Sequence, residues 1–272
     1  MRKNIVSNLD KFEIVSSNFL ELASEQRLRI LSNLNSKPHR VSSLVKKIDV
    51  TSQEIHRNLD RLSNSGFVRK GTDDHFHITT MGQLMLSQMP LMFFISKNQK
   101  YFSNHDVGIL PLKFSRRLGV LENCEHVKGV TNVLNIWKKI YKDSKEYICD
   151  IINEFPPGMD DVLLKRIKNG TKYRHIVTDD VNEHDARAED LKKLGYYDLI
   201  QKKKIVRKEL KSTGIILILN EKEGGVIFPT NDGEPDLRHM FYGNDKIFQD
   251  WCMDYFDFQW KKARDISRTY PR

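Results

Sequence analysis

The chain of 272 residues is poor in cysteine, and its three cysteines lie far apart in the sequence. An odd, widely spaced set, Cys124, Cys149 and Cys252, argues against a disulfide framework and against a zinc site. Such usage fits a reducing compartment. Zinc-binding, Walker and dinucleotide motifs are also missing from the sequence, so we expect no metal and no cofactor.

Long hydrophobic runs are missing as well. The most apolar segment, LMLSQMPLMFFI at residues 84–95, is too short to cross a bilayer and carries Pro90. The start, MRKNIVSNLDKFEIV, lacks the apolar run and cleavage site of a signal peptide. We therefore expect a cytoplasmic protein with no membrane partner. Segment 84–95 is predicted to pack in a core or to form a dimer interface.

What the chain does have is an excess of basic residues, 45 Lys and Arg against 36 Asp and Glu, giving a net charge of +9. A positive excess favours polyanionic partners such as nucleic acid or an anionic membrane surface. Charge alone decides little, because many basic proteins bind neither. The motifs along the chain must therefore carry the functional prediction.

The first part of the chain shows helical spacing three times in succession. A helix is predicted from Leu9 to Leu22, a second begins after the capping residue Ser24, and a third precedes residue 49. Their apolar positions are Phe12, Val15, Phe19 and Leu22, then Leu28, Leu31 and Leu34, then Val41, Leu44, Val45 and Ile48.

The stretch TSQEIHRNLDRLSNSGFVRK, residues 51–70, begins like a capped helix and ends like a strand. Thr51 and Glu54 have the spacing of a capping box, in which two side chains satisfy backbone donors. Gly66 ends the helix, and alternating residues complete a hairpin over residues 67–79. The inward positions of the helix are Ile55, Leu59 and Leu62.

The last three of these four helices, followed by the hairpin, predict an α+β winged helix-turn-helix domain over residues 1–96. Helix 51–65 is then the recognition helix and segment 67–79 the wing. A helix fits the major groove of DNA, where its first residues usually reach the base edges. We predict base or near-base contacts from Ser52, Gln53, His56 and Arg57. The candidate phosphate, backbone or minor-groove contacts are Arg61, Arg40, Lys46, Arg69, Lys70, His75 and His77.

The same features allow other interpretations. Most polar helix faces are solvated and bind nothing, and winged helices also serve as protein-interaction modules. The second function class is therefore a module that binds the transcription machinery. Asp60, Asp73 and Asp74 are unfavourable near phosphates, so we expect them to point away or to help position an arginine.

Residues 97–112, KNQKYFSNHDVGILPL, are polar and broken by Gly108 and Pro111, which predicts a domain boundary. Beyond it strands alternate with helices, so residues 105–272 are predicted to form an α/β domain with a buried sheet. The predicted strands are EYICDII, KYRHIVT, GIILILN and GVIFPT. The predicted helices are PPGMDDVLLKRIKNG, HDARAEDLKKLG, residues 245–266, and one carrying Val127, Val130, Leu134, Trp137 and Tyr141.

Two parts of the chain resemble known families. Residues 24–82, with Ser-x-x-Arg-Leu-x-Ile-Leu, Arg-x-Leu-x-x-Leu, Gly-Phe-Val and Ile-Thr-x-x-Gly, resemble the winged-helix domain of archaeal transcriptional regulators. The later segments LPLKFSRRLGVLENCEHVKG, PPGMDDVLLKRIKNGTKYRHIV and EPDLRHMFYGNDKIFQDWCMDYFDFQWKKA are similar to the sensor domain of methanogenesis-regulator-type proteins. This resemblance implies a phospholipase D-like fold for the second domain. The chain departs from typical members at residues 196–212, which are unusually basic.

A phospholipase D-like fold raises the possibility of phosphodiester chemistry, which uses a His-x-Lys-x4-Asp motif. The one His-x-Lys is His126-Val127-Lys128, for which we predict a helical setting, and Val133 stands at the Asp position. Asp160 with Asp161, or Asp179 with Asp180, could bind a cation but are more typical of caps and turns. Cys124 and His175 are predicted to be packed side chains. We therefore predict that the protein is not an enzyme and that its sensor domain is non-catalytic.

The basic run KKKIVRKELK, residues 202–211, has three interpretations. It forms the polar side of an edge strand, or contacts DNA outside the wing, or attracts an anionic effector. We favour the edge strand.

The sequence as a whole predicts a DNA-binding transcriptional regulator that recognises a specific sequence in double-stranded promoter DNA. One recognition helix reads only a few base pairs, so we expect a homodimer that places two helices about one helical turn apart. An unidentified small-molecule effector in the second domain could change that spacing and hence the affinity.

Overall fold

The computed structural model describes residues 8–153, 155–156, 158–178 and 191–266. The chain separates into two compact units, Met1–Met89 and Pro90–Arg272. Among the described residues, no helix is both long and apolar enough to cross a membrane. The two units are described separately below.

The first unit is mainly helical, with a short hairpin between its last two helices. Its helices are α1 (Asn8–Leu22), α2 (Glu25–Ser36), α3 (Val41–Ile48), α4 (Ser52–Asn64) and α5 (Thr80–Leu86). The hairpin strands are β1 (Val68–Lys70) and β2 (Phe76–Ile78), which pair antiparallel. The predicted succession of helices and hairpin is confirmed.

The core of the first unit lies among α2, α3, α4 and the hairpin. Ser24 caps α2, where its hydroxyl accepts a bond from the Arg27 amide, and α3 ends at Asp49 in the left-handed region (φ 61°). The predicted inward stripes of α2 and α4 are buried or half-buried. The fully buried side chains include Ile30, Leu31, Leu44, Ile55, Leu59, Leu62 and Phe67.

Helix α1 is present as predicted, but its apolar side chains are largely uncovered. Phe12 is 74% exposed, Val15 49% and Phe19 48%, whereas Leu22 at the end of the helix is 5% exposed. Only Leu22 of this stripe joins the buried core of the first unit. The apolar spacing of α1 therefore marks a surface stripe.

The second unit is built on one large sheet with helices on both faces. Within the described residues its helices are α6 (Met89–Lys97), α7 (Gln99–Phe102), α8 (Leu112–Ser115), α9 (Val130–Asp143), α10 (Asp160–Lys168), α11 (Tyr196–Gln201) and α12 (Lys246–Lys262). A short 3-10 helix spans Leu118–Leu121. Segment 97–112, predicted as a boundary, has Tyr101 and Leu110 buried in this unit.

Eight described strands form the sheet: β3 (Glu125–Lys128), β4 (Tyr147–Ile152), β5 (Lys172–Thr178), β6 (Ile205–Leu210), β7 (Ile216–Asn220), β8 (Gly224–Ile227), β9 (His239–Gly243) and β10 (Arg264–Asp265). Their order is β10-β6-β5-β4-β7-β8-β9-β3. Strands β4, β5 and β6 run parallel, and the other neighbours are antiparallel. The sheet is therefore mixed, with its parallel part between β4 and β6.

Alternate residues of the central strands pack into two separate apolar layers, one on each face of the sheet. Leu217 and Leu219 pack on the side of α12 with Trp251, whereas Ile216 and Ile218 pack on the side of α9 with Trp137. A sheet that is buried on both faces requires continuous apolar strands, which GIILILN and EYICDII supply. The predicted α/β architecture with a buried sheet is confirmed for the described part of this unit.

Some predicted elements differ from those observed. Val127, predicted on a helix, lies in strand β3, and α9 begins only at Val130 after Gly129 turns the chain with φ 92°. The last helix ends at Lys262 instead of continuing to residue 266, because Arg264 and Asp265 pair with β6. Most of the helix predicted over HDARAEDLKKLG, together with Asp179 and Asp180, lies outside the described residues.

Candidate nucleic-acid interface

Helix α4 is capped as the sequence predicts. The Thr51 hydroxyl oxygen accepts a hydrogen bond from the Glu54 amide at 3.2 Å, and the Thr51 amide donates to Glu54 Oε2 at 2.9 Å. The Thr51 hydroxyl also donates to Glu54 Oε2 at 2.8 Å. The two bonds that this carboxylate accepts lower the pKa of Glu54, the bond from the Thr51 amide most of all. Glu54 is thereby stabilised as a carboxylate, and its negative charge interacts favourably with the positive end of the helix dipole.

One side of α4 is buried and the other carries the predicted contact residues. Ile55, Leu59 and Leu62 are fully buried. The exposed positions include Ser52, Gln53, His56, Arg57, Asp60 and Arg61. The capped end and the buried side hold the exposed polar face on a rigid support.

Asn58 belongs to the buried side of α4, which the sequence did not indicate. It is 3% exposed, and its Nδ2 donates to Gln26 Oε1 on α2 at 2.8 Å. A buried amide needs such a partner, and this one ties α4 to α2.

Arg61 is held in a bidentate ion pair with Glu21 of α1. Arg61 Nη2 lies 2.6 Å from Oε1 and Nε lies 2.9 Å from Oε2. Arg27 reaches the same carboxylate at 3.3 Å and donates two bonds to backbone carbonyls at the end of α1. The pKa of Glu21 is lowered, chiefly by the bond from Arg61. Arg61 thus already joins α4 to α1, a role that its position in the sequence did not reveal.

Three of the predicted contact residues on the hairpin, Lys70, His75 and His77, lie close to an acid. Arg69 and Lys70 are exposed, and Lys70 Nζ lies 2.8 Å from Asp74 Oδ1. His75 Nδ1 lies 2.9 Å from Asp73 Oδ2. His77, 3.8 Å from Asp73 Oδ1, faces the same acid. The bond from Lys70 lowers the pKa of Asp74. Asp73 and Asp74 therefore face predicted contact residues. The side chains that they contact are a lysine and two histidines, whereas the sequence suggested an arginine.

Arg40 and Lys46, the remaining candidates, lie near the two ends of α3. Arg40 is exposed at the start of α3, and its charge contributes to the lowered pKa of Asp74 on the hairpin. Lys46 is exposed in the last turn of α3. His39 joins the hairpin through two backbone bonds with Phe76, which the sequence did not predict.

In the second unit, the phospholipase D-like motif lies on a strand rather than on the predicted helix. His126, on β3, is 3.0 Å from His239 on β9, Nε2 to Nδ1. Val133, at the position of the motif's Asp, is fully buried in the apolar layer beside α9. A carboxylate is therefore replaced there by a core side chain.

The cysteines and the aspartate pair at residues 160–161 were the other candidates considered in the second unit. Burial raises the pKa of both the Cys124 and the Cys149 thiols to about 12, which keeps them protonated and unreactive. Asp160 and Asp161 lie in the first turn of α10, where acids favour the helix dipole.

The basic run 202–211 contains strand β6, which is second from the edge of the sheet. The prediction of an edge strand is therefore wrong in position. The outer strand β10 covers it only at Lys208 and Glu209, because β10 is two residues long.

Comparisons with known proteins give remote likenesses. A family model described as the HVO_A0261 N-terminal domain matches residues 17–93. No curated protein matches the chain. One similar solved structure is that of TrmBL2, an archaeal chromatin protein that shows a novel mode of DNA binding. Its sequence is 13% identical, and the TM-score is 0.42. The match covers 89% of this chain and 94% of the TrmBL2 chain. Nuc, a phospholipase D family member from Salmonella typhimurium, is 11% identical with a TM-score of 0.40, covering 54% and 99%. At such identities and TM-scores these two likenesses assign no function.

Proposed function

We propose that the first unit is a winged helix-turn-helix domain that binds double-stranded DNA, with α4 in the major groove. The observation that carries the proposal is the exposed face of α4, where Ser52, Gln53, His56 and Arg57 share one capped, rigidly packed turn and a half. Glutamine can pair with adenine and arginine with guanine through two hydrogen bonds each. These side chains match what base reading requires.

The hairpin 67–79 is proposed as the wing. Arg69 and Lys70 are exposed on β1, and a wing of this kind lies along the backbone or in the minor groove, where cations release counterions from the phosphates. Arg40 and Lys46 would add phosphate contacts from α3. Arg61 contributes to this surface mainly by holding α4 against α1.

The protein is further proposed to be a homodimer that uses the exposed stripe of α1. Phe12, Val15 and Phe19 follow one another at helical spacing and are each about half exposed or more. A second copy of the same helix would cover this stripe symmetrically. Two first units related by a twofold axis would then read two half-sites, which gives the sequence specificity of a transcriptional regulator.

The second unit is proposed as a non-catalytic sensor domain for a small-molecule effector. The buried Val133 supports the absence of the histidine-nucleophile chemistry.

DNA binding is tested by selecting bound fragments from a random duplex library and titrating the selected and a scrambled duplex at two salt concentrations. We expect tighter binding to the selected duplex and a steep loss with salt for both. Equal affinity for the two duplexes would remove sequence-specific recognition. The lack of any salt-dependent binding would remove DNA as the partner.

The second candidate is a protein-interaction module that binds the transcription machinery. The pairing of Lys70 with Asp74, and of His75 with Asp73, favours it, because these acids offset the charge of the wing. The same titration separates the two functions. A protein partner would leave duplex binding weak and uniform, and a substitution in α4 would then disturb complex formation with the partner instead.

A further inference from the structure

A cleft lies beside strands β4 and β5 of the second unit, and no part of the proposed DNA binding uses it. It is partly open, and its space of about 370 Å³ includes open solvent, so the enclosed part is much smaller. Ligands of α/β sheets bind outside the carboxyl ends of parallel strands, and β4 ends at this cleft with Ile152. Its apolar walls include Ile152, Phe155, Leu163 and Val177.

A buried carboxylate lies next to the cleft. Asp150 on β4 is fully buried and accepts hydrogen bonds from Tyr141 at 2.5 Å, from Tyr173 at 2.9 Å and from His175 Nδ1 at 2.6 Å. Burial, together with the charge of Asp150, raises the pKa of both tyrosines well above its usual value, so both hydroxyls remain donors. Asp150 thus makes Nδ1 the protonated nitrogen of His175.

The other ring nitrogen of His175 is available to the cleft. His175 is 4% exposed and is one of the residues that line the cleft. Nδ1 is occupied by Asp150, and Nε2 has no hydrogen-bond partner among the described residues. A polar atom held this rigidly at the wall of a cleft is suited to orienting a ligand.

Asn153 provides a second, independent indication of a ligand. Its Oδ1 atom is buried and has no hydrogen-bond partner among the described residues, and the side chain lines the same cleft. Leaving a buried amide oxygen unsatisfied costs free energy, so an unused group of this kind in a native structure calls for an explanation. A bound molecule with a hydrogen-bond donor would satisfy it.

The charges around the cleft define the class of that molecule. Arg207 lines it from β6, with its guanidinium 5.7 Å from the ring centroid of Tyr196, and also has other contacts. A guanidinium has five donors, more than one partner uses, and it suits carboxylates. Asp160, which also has other contacts, lines the cleft at the start of α10 and adds a carboxyl group to its wall.

We propose that this cleft binds a small carboxylic acid that also carries a hydroxyl or amino group. The carboxylate faces Arg207, and the hydroxyl or amino group donates to Asn153 Oδ1, with His175 Nε2 as a further acceptor for an amino group and Asp160 beside it. This arrangement gives Asn153 Oδ1 a donor. It also places the ligand's carboxylate against Arg207 and its hydroxyl or amino group on the side of Asp160. It also assigns a role to the basic run, of which Arg207 is a member.

The proposal is tested by isothermal titration of the full-length protein with sodium lactate, L-alanine, sodium propionate and glycerol, without DNA. We expect lactate or alanine to bind at least tenfold more tightly than propionate, which lacks the donor, and glycerol, which lacks the acid. Failure of both lactate and alanine to bind would overturn the proposal. So would equal binding of all four compounds.

Asn153→Ala provides the decisive variant, because the side chain makes no hydrogen bond to any residue that the structure describes. We expect at least a tenfold weaker affinity for the acid, with a thermal midpoint that is unchanged or raised. Asn169→Ala, an exposed asparagine at the other end of α10, is the matched control and should bind as the parent does. An unchanged affinity in Asn153→Ala would refute the assigned site.

The site and the proposed DNA binding fail independently. The titration contains no DNA, so a protein that never binds a duplex can still bind the acid. Only a regulatory role for the cleft rests on the proposed function. That role predicts that the acid which binds shifts the affinity for the selected duplex, and that Asn153→Ala abolishes the shift.

Discussion

At the scale of single residues, Lys70 on the hairpin of the first unit is paired with an acid of the same hairpin. Lys70 pairs with Asp74 across 2.8 Å, and both side chains are more than half exposed. Exposed pairs of this kind add little to stability. The acid therefore matters mainly for what Lys70 can bind, because a phosphate must compete with Asp74 for the same ammonium group.

Asp74→Asn should strengthen binding to any duplex a few-fold and steepen its dependence on salt by about one counterion. Asparagine suits the left-handed backbone at this position (φ 63°), so the turn is retained. Fluorescence anisotropy at several salt concentrations measures both effects. Glu25→Gln, which removes the exposed partner of Arg29 on α2, is the control and should change neither. An Asp74→Asn protein with unaltered affinity would exclude Lys70 from the interface.

Base and phosphate contacts should respond differently to truncation. Arg57→Ala should reduce discrimination between the selected and the scrambled duplex by roughly 1–3 kcal/mol, whereas Lys70→Ala should weaken binding to both alike and lower the salt slope. Gln53→Ala should behave as Arg57→Ala does. Equal losses on both duplexes for Arg57→Ala would contradict base reading, and Arg29→Ala serves as an exposed arginine outside the interface.

The residue roles that could be predicted from the sequence are those set by near neighbours. The capping box of Thr51 and Glu54 depends on a spacing of three residues, and it is confirmed. The bond from Asn58 to Gln26 and the pair of Asp150 with His175 join distant parts of the chain. Local patterns carry no information on such partners, so these side chains were missed or regarded only as packed.

At the scale of elements, α1 is a regular helix whose apolar stripe the first unit leaves largely uncovered. Exposed stripes of this length are uncommon on surfaces that bind nothing. The proposed homodimer gives the stripe a partner.

Phe19→Glu should disrupt that homodimer, because a charge would be buried against the second copy of α1. We expect the dimer dissociation constant to rise at least tenfold in sedimentation equilibrium, with little change in the thermal midpoint since Phe19 is 48% exposed. Ser17→Glu adds the same charge to an exposed position of the same helix and should have a smaller effect. A protein that is monomeric before substitution would rule out the proposed dimer.

The cap of α4 should have a measurable and local effect. Thr51→Ala removes the side chain that accepts from the Glu54 amide, at a cost of about 1 kcal/mol. We expect amides in the first turns of α4 to exchange about fivefold faster in hydrogen-exchange mass spectrometry. Thr79→Ala, which removes the corresponding cap of α5, should speed exchange in α5 instead. Identical exchange in α4 would show that tertiary packing alone holds the turn.

Elements formed by distant pairing were the ones that sequence patterns misassigned. Val127 and Val130 are three residues apart, which suits a helix, but Val127 pairs with Met240 in the sheet. Gly129 then ends the strand in a backbone conformation that favours glycine. The pairing of β10 with β6 likewise shortens the last helix. Continuous apolar strands, by contrast, were predicted at nearly their observed positions.

At the scale of the whole molecule, the two units differ in aromatic content. The nine tyrosines and three tryptophans of the sequence all lie beyond residue 90. Intrinsic fluorescence therefore reports on the second unit alone. The existence of two regions with different patterns was predictable, whereas the order of eight strands was not, because strand neighbours are far apart in the chain.

The second unit contains a cluster of histidines whose titration should affect its stability. Burial, together with the neighbouring His239, lowers the pKa of His126 from 6.5 to about 4. The pKa of His239 is lowered as well, again mainly by burial. The charged or titratable groups that act on these rings are His105, Lys97, Lys128, Asp236 and Arg238.

The second unit should lose roughly 2–3 kcal/mol of stability to His126 as the pH falls from about 6.5 to 4. The unfolded chain binds this proton near pH 6.5, whereas the folded chain binds it only near 4, so the stability is fully present above pH 6.5. Denaturant unfolding followed by tryptophan fluorescence at pH 7.5 and 4.5 measures the loss. His126→Gln should reduce the difference, and His56→Gln, on the exposed face of α4, should not. An identical pH dependence in His126→Gln would refute the assignment.

The firm attachment of α4 has a thermodynamic consequence for whatever binds it. The helix is fastened at its start by the capping box, along its buried side by Asn58, and near its end by Arg61. A partner therefore meets a backbone that is already ordered and does not have to fold it. The heat-capacity change of binding should then correspond to the contact area alone, without the large additional term of coupled folding.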